Sequence, residues 1–407
     1  MPTIAILGTF DSKGPEHAFL ADCIRASGFD TLLINAGSLS EPGLKPDVGS
    51  DELAAASGQD WKQVLARQDR GECVTLMAQG AARVVADLTS KGRIQGIISL
   101  GGGGGTAICT AAMRALPIGF PKVMVSTLAS GNTAPYVGTK DIVMIPAIAD
   151  VAGINRLTRV IFENASGAIC GMVQAAEGRK QAPAEDKPLI VASMFGNTTA
   201  CVTEAKRILE EAGYEVLVFA ATGNGGRAME ALIESGMVAG VLDITTTEWA
   251  DELCGGVLNA GPDRLDAAAK AHVPAIVAPG CLDMVNFGEP QTVPAKYAGR
   301  TFYQHNPQVT LMRTTSEECA ELGRIIAGKV SAYTAPVTVL LPLKAISVIS
   351  AEGKPFHDAA ADQALFGALK SHLRPGVPVR EMDMEINDPA FAAACAHALL
   401  ENIRASR

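Results

Sequence analysis

IQGIISLGGGGGTAICTAAMRAL, residues 94–116, sets an apolar run, five consecutive glycines and a helix-like run side by side. The short apolar run reads as a buried strand, and the run from about Thr106 reads as a helix. A strand handing over to a helix through a glycine turn is one half of a βαβ unit. The same rhythm holds around it. TIAIL precedes a helix near Pro15 to Ser27 and then TLLIN, and the helix after the glycines is followed by KVMVS. Pro15 suits a helix start, where its missing N–H costs nothing. Strands alternating with helices in this way imply α/β architecture, with mainly parallel sheets covered by helices on both faces.

The rhythm breaks at EGRKQAPAEDKP, residues 177–188, which is polar and contains proline. It reads as a linker between a domain of residues 1–177 and a second of 189–407, with 178–188 between them. The plan then restarts. Phe10 and Phe195, Gly28 and Gly213, and Phe29 and Tyr214 all correspond at one offset. Each of these glycines falls where a helix should stop, at the left-handed C′ position. GIISLGGGGG also aligns by pattern with GVLDITTTEW, pairing Gly96 with Gly240 and Ser99 with Asp243. Both are strands ending at the edge where open α/β sheets bind ligands. Two sites of different chemistry are expected, one of bare backbone and one of carboxylates and hydroxyls.

Composition narrows the class. With 407 residues and 48% hydrophobic content, the chain can bury two sizeable cores. A formal charge of −9 argues against general nucleic-acid or anionic-membrane binding. No apolar run approaches the roughly 20 residues of a membrane helix. MPTIAILGTF lacks a basic region before its apolar residues and reads as a first strand. Nine scattered cysteines with no C-x-x-C pair point to reduced thiols in a cytoplasmic protein. The apolar terminal stretch NDPAFAAACAHALLENI is expected to form a helix serving a homodimer or higher homo-oligomer.

Gly101, Gly102, Gly103, Gly104 and Gly105 at the start of a helix expose consecutive N–H groups beside its positive end, which suits a phosphate or carboxylate. Thr106 is the expected N-cap, with a hydroxyl available to the same anion. No lysine follows the last glycine, so the turn is not a Walker A loop. KVMVST carries no acid to hold a ribose, so the G-x-G-x-x-A match of Gly102, Gly104 and Ala107 is a weak sign of NAD. Two more turns belong to the same edge. GTFDSKG supplies Gly8, Thr9, Asp11 and Lys13, with Lys13 to neutralise a phosphate and Asp11 to hold Mg²⁺. STLASGNT supplies Ser126, Thr127, Ser130 and Gly131. In the second half, Glu248, Asp283 and His305 are candidate acids, bases or metal ligands, and Arg313 a candidate clamp for a carboxylate or phosphate. Six histidines are too few and too scattered for a multi-histidine metal site, and His17, His272, His372 and His397 read as structural.

Taken together, LGTFDSKG, SLGGGGGT, VSTLASGNTAPYVGT, DVAGINRLTRVIFENASGAICGM, GVLDITTTEWADEL, DMVNFG and HNPQVTLMRTT resemble the Tm-1-like ATP-binding proteins, also called uncharacterised protein family 0261. The resemblance spans almost the whole chain. It implies two Rossmann-like domains and nucleotide binding, with ATP as the ligand, in the first. A plant member of that family is a tobamovirus resistance protein whose related region binds a viral replication protein. This sequence departs from the family pattern at Asn132, where an acid is common, at Ala134, where a basic residue is, and at Ala221, where a histidine is.

Two functions follow as expectations. In one, the first domain binds ATP or another nucleotide, with Mg²⁺, through the turns at Gly8–Lys13 and Gly101–Thr106, alongside a polar site at the domain interface. In the other, the chain is a metabolic enzyme acting on a small carboxylated or phosphorylated compound through Glu248, Asp283, His305 and Arg313. A pure interaction scaffold would need neither set of loops.

Overall fold

The computed structural model describes residues 1–38, 43–67, 69–181 and 187–406. The chain divides into two compact units, residues 1–185 and 186–407. The helix Arg156–Gln181 carries the first unit past residue 178, where the sequence reading begins a linker. Residues 182–186 of that stretch lie outside the described residues.

In the first unit, β1 (Thr3–Gly8), β2 (Asp30–Asn35), β3 (Gly96–Gly101), β4 (Lys122–Ser126) and β5 (Val143–Pro146) form one parallel sheet in the order β2-β1-β3-β4-β5. Alternate residues of a strand face opposite sides. Ile4 and Ile6 accordingly join Ile98, Leu100, Val123 and Val125 under the helices Phe10–Ala26 and Arg156–Gln181. Ala5 and Leu7 join Leu32, Ile34 and Met124 under the helices Arg70–Ser90 and Gly103–Arg114. This two-sided burial is why the strands read as unbroken apolar runs.

The second unit repeats the plan. Its strands β6 (Leu189–Met194), β7 (Glu215–Ala220), β8 (Val238–Thr245) and β9 (Ala275–Gly280) lead to an excursion. There β10 (Met284–Phe287), β11 (Phe302–Asn306) and β12 (Val309–Arg313) form a separate antiparallel sheet in the order β10-β12-β11. The chain returns as β13 (Val337–Pro342) and β14 (Val379–Met382), completing a parallel sheet of order β14-β13-β9-β8-β6-β7. Counted from its own first strand, each unit therefore begins 2-1-3-4-5, with the strand order reversing between β1 and β3 and between β6 and β8.

The expected correspondences have physical content. Gly28 and Gly213 both adopt positive φ, +85° and +93°. A Cβ on Gly96 would stand 2.6 Å from Val173 Cγ2, and one on Gly240 2.7 Å from Ile403 Cδ1. In each unit the last helix thus packs onto the third strand at a glycine. The C-terminal helix Pro389–Ala405 buries Phe391, Ala392, Cys395, Ala396, Leu399 and Ile403 in the second unit's own core. Its apolar face is intramolecular, so that face is not free for the oligomer contact expected of this helix. No helix among the described residues is long and apolar enough to cross a membrane. All nine cysteines are free, eight buried and Cys23 half-buried.

Candidate functional site

At the first unit's strand-order reversal, the turns after β1 and β3 lie side by side at the carboxyl edge of the sheet, the position where open α/β sheets take ligands. The turn after β1 is tightly made. Asn35, buried at the end of β2, accepts from Phe10 N at 3.0 Å and from Gly37 N at 2.9 Å. The helix begins at Phe10, earlier than the sequence suggests, and kinks at Lys13 before Pro15 resumes it. Gly8 is required: a Cβ there would lie 1.9 Å from Nε2 of His17. His17 is fully buried, its Nδ1 2.7 Å from Lys13 O, and burial lowers its pKa to about 4. Its part is structural, as the sequence suggests. Asp11 packs against the Gly37 backbone, its Cγ 2.5 Å from where a Cβ on Gly37 would stand.

The glycine turn after β3 is different. The helix starts at Gly103 with Gly102 as N-cap. Thr106 is therefore not the cap. It is buried inside the helix, where its hydroxyl meets that of Ser126 at 2.7 Å. Ser126 also accepts from Leu128 N at 3.0 Å, so neither hydroxyl faces a ligand. What faces outward is backbone. Gly103 is exposed, and Gly102, Gly104 and Gly105 are half-buried. The first N–H groups of a helix have no carbonyl of their own helix to bond. On one side of the turn, Thr127 Oγ1 lies 3.8 Å from the Cβ position of Gly102 and Leu128 Cδ1 4.0 Å from that of Gly103. On the other, a guanidinium nitrogen of Arg70 lies 3.7 Å from the Cβ position of Gly104. Arg70 is exposed and opens the helix Arg70–Ser90. Sequence reasoning missed it, because it belongs to a helix start between β2 and β3 and not to a strand-end turn. Ser130 and Gly131 are exposed in the turn after β4, where Gly131 N donates to Leu128 O at 3.0 Å.

In the second unit the expected polar residues are sequestered. Arg264, buried at 1% exposure, donates to both oxygens of Asp243 at 2.6 Å, to Glu248 Oε2 at 2.6 Å and to Glu230 Oε1 at 2.9 Å. Burial opposes the guanidinium charge, but the three carboxylates more than offset it and hold the Arg264 pKa well above its ordinary value. Glu248 Oε1 accepts from Gly223 N at 2.7 Å and Gly226 N at 3.2 Å. Glu248 thus caps the helix Asn224–Glu234 from inside the fold. Asp283 is fully buried and accepts from Ser347 Oγ at 2.7 Å, while its Oδ1 has no partner among the described residues. Burial raises its pKa to about 6 despite the nearby Arg313. Arg313 is turned inward, to Asp362 Oδ1 at 2.6 Å and Phe356 O at 2.9 Å. His305 stands apart on the exposed strand β11.

Asp283 and Arg313 therefore share one buried cluster, Glu248 belongs to another, and His305 joins neither. The reason is the excursion after β9. One face of its antiparallel sheet packs Met284, Leu311 and Tyr303 against Cys281, Phe195, Ile349 and Phe356. Those last residues follow β9, β6 and β13, so the insertion covers the carboxyl ends where the second unit would take a ligand. Sequence pattern showed the polar residues but not this plug.

A model described as Uncharacterised protein family (UPF0261) N-terminal domain matches residues 2–178, and the corresponding C-terminal domain model matches residues 187–403. The chain belongs to the UPF0261 family. A UPF0261 protein of Clostridium tetani is 50% identical over 398 residues, covering 98% of each chain. The tomato ToMV resistance protein Tm-1(GCR237) is 37% identical over 421 residues, which span 98% of this chain and 56% of the tomato protein. Among solved structures, a putative UDP-N-acetylglucosamine 2-epimerase from Listeria monocytogenes aligns at 12% identity with a TM-score of 0.23, over 68% of this chain and 78% of its own. That score is too low to bear on fold or function. The UPF0261 membership and the parallel α/β units together bear out the fold class read from the sequence.

Proposed function

We propose that the first unit binds a nucleotide, with ATP as the reference ligand, by seating a phosphate on the glycine turn after β3. One observation carries this reading: the fold does not demand the glycines. None of Gly101–Gly105 has positive φ. Only at Gly101 would a Cβ come closer than 3.4 Å to anything, 3.3 Å from Gly105 Cα. Three of them stand in the first turn of a helix, where each costs about 1 kcal/mol relative to alanine. A segment selected for stability alone would carry alanines. A ligand that must approach bare N–H groups accounts for them, and a phosphate fits both those donors and the helix's positive end. Arg70 adds a cation at the rim, and no carboxylate pairs with it among the described residues.

A metal is a separate matter. No group of three or more ligating side chains that could hold an ion occurs among the described residues. Asp11 is thus at most a single carboxylate toward Mg²⁺, and such an ion would arrive on the nucleotide's own phosphates. A small carboxylated metabolite would use the same N–H donors as a phosphate. The enzymatic alternative through Glu248, Asp283, His305 and Arg313 lacks a common site within the second unit, because three of these are buried in two separate networks.

Calorimetric titration of the whole chain with ATP tests the reading. Gly103→Val, at an exposed position where a Cβ would meet only Leu128 Cδ1 at 4.0 Å, should block the approach of a phosphate, and Arg70→Ala should remove a charge-assisted contact; each should weaken ATP binding about tenfold or more, with unchanged circular dichroism. Unchanged affinity in both variants would overturn it. Thermal-shift comparison of ATP with pyrophosphate and citrate separates a nucleotide from a general anion site.

A further inference from the structure

The inward face of the insertion meets residues that follow β6, β9 and β13, but none that follows β14. At this edge of the second sheet, beyond the carboxyl ends of β13 and β14, lies a cavity of about 250 Å³. Lys344 after β13 and Glu385 after β14 border it, together with one face of the helix Ala359–His372. Asp362 and Phe366, four residues apart, stand on that face. The volume is a little below the roughly 300–1,000 Å³ of drug-sized sites, which fits a compact ligand.

Asp362 is 6% exposed. Its Oδ1 accepts from Arg313 at 2.6 Å, while Oδ2 has no partner among the described residues. Unlike Asp283 Oδ1, this oxygen is not sealed from solvent, and the surface left to Asp362 opens on the cavity. Burial pushes the Asp362 carboxyl up even with Arg313 beside it, so one guanidinium does not fully offset the charge. The rest of the wall has the same bias. Glu352 and Glu385 make no ion pair among the described residues. His357 sets Nδ1 3.3 Å from Ser350 O, which makes Nδ1 the donor and leaves Nε2 an acceptor. Lys344 is drawn to Asp383 at 3.7 Å. The positive end of the helix is already capped, with Asp358 Oδ1 accepting from Ala361 N at 3.0 Å. Acceptors and negative charge exceed donors, which disfavours a phosphate or carboxylate and calls for a cation rich in N–H groups.

We propose that this cavity binds a small primary ammonium compound with a short apolar body, its ammonium donating to Asp362 Oδ2 between Glu352 and Glu385 and its body lying on Phe366. An ammonium has three donors and no acceptor, the complement of this wall. Its hydrogen bond to a carboxylate is about twice as strong as a neutral one. The site is independent of the glycine turn in the first unit and of any nucleotide.

The test is saturation-transfer NMR on the whole chain at neutral pH with two probes, n-butylamine, which is protonated there, and its neutral counterpart n-butanol. n-Butylamine should receive saturation and bind about tenfold tighter than n-butanol. Asp362→Asn keeps an acceptor for Arg313 but removes the charge. It should weaken n-butylamine about tenfold or more and leave n-butanol unchanged. Glu352→Gln combined with Glu385→Gln changes two exposed positions and leaves the Arg313 pair intact, so it gives the same reading if Asp362→Asn fails to fold. It should weaken n-butylamine about threefold or more, with unchanged circular dichroism. Gln363→Trp, at an exposed position on the cavity wall, should abolish binding. The proposal fails if n-butylamine receives no saturation, if n-butanol binds as tightly, if Gln363→Trp leaves binding unchanged, or if no folded charge variant weakens n-butylamine.

Discussion

The Arg264 guanidinium meets the Asp243 carboxylate through two parallel hydrogen bonds, Nη1 to Oδ2 and Nη2 to Oδ1, each 2.6 Å. The arginine arrives from a loop after β8, and the aspartate stands inside β8 itself. Ser193 Oγ donates to Asp243 Oδ1 at 2.6 Å, which ties β6 to the same pair. A carboxylate expected at a ligand-facing strand end is thereby part of a buried ionic brace, together with Glu248 and Glu230.

Removing the cation should be far worse than removing a surface arginine. Arg264→Met leaves Asp243, Glu248 and Glu230 buried without their counter-charge, and breaking a buried pair in this way costs about 3–5 kcal/mol. Urea unfolding at neutral pH reads the loss. By comparison Arg207→Met, which breaks only surface pairs with Glu204 and Glu211, should leave the urea midpoint close to wild type.

Gly8 and His17 make a second coupled pair. Gly8→Ala places a methyl group where the imidazole ring stands, in a central strand that cannot easily move. Overpacking of this kind costs about 1–3 kcal/mol, and thermal unfolding should show it. The pH dependence follows from His17 itself, whose folded pKa of about 4 lies below the ordinary 6.5. Between those values the unfolded chain binds more protons than the native one, so this contribution to stability rises with pH. It is present above 6.5 and is lost as pH falls through 4. His17→Gln should flatten the stability profile in that window.

Asp283 works in the opposite sense. Its folded pKa of about 6 lies above the ordinary 3.8, because burial disfavours its charge. Here the native state holds the extra proton, so this contribution is full below 3.8 and is lost as pH rises through 6. The shift corresponds to about 3 kcal/mol. Asp283→Asn should therefore be closer to wild type in stability at pH 4 than at pH 7.5, where removing the buried charge should help it. A profile parallel to wild type across that range would show that Asp283 does not titrate as the structure implies.

Much of the fold was legible because it is periodic. Strands buried on both faces read as apolar runs, and Gly28, Gly213, Gly96 and Gly240 marked the same places in both units. The glycine turn was legible because a run of five is conspicuous. Three features were not. Thr106 and Ser126 face each other across neighbouring elements, and sequence spacing gives no sign of that pairing. Arg264 sits in a polar loop with nothing local to show that three carboxylates converge on it. The plugging of the second unit's strand ends depends on which face of a three-stranded insertion turns inward. Met284, Leu311 and Tyr303 decide this only once β10, β11 and β12 are in register.

The glycine turn itself yields the sharpest contrast between stability and function. Gly103 is exposed, its φ is compatible with any residue, and a Cβ there meets only Leu128 Cδ1 at 4.0 Å. Gly103→Ala should therefore raise stability by about 0.5–1 kcal/mol, since alanine restricts the unfolded chain and is better suited to a helix. If a phosphate must lie against the bare backbone at this turn, the same methyl group intrudes on the ligand, and ATP affinity should fall by about threefold or more, roughly 0.7 kcal/mol. Paired measurements of unfolding temperature and calorimetric affinity on one variant then separate two accounts. A glycine kept for folding predicts that both fall together. A glycine kept for a ligand predicts that they move in opposite directions.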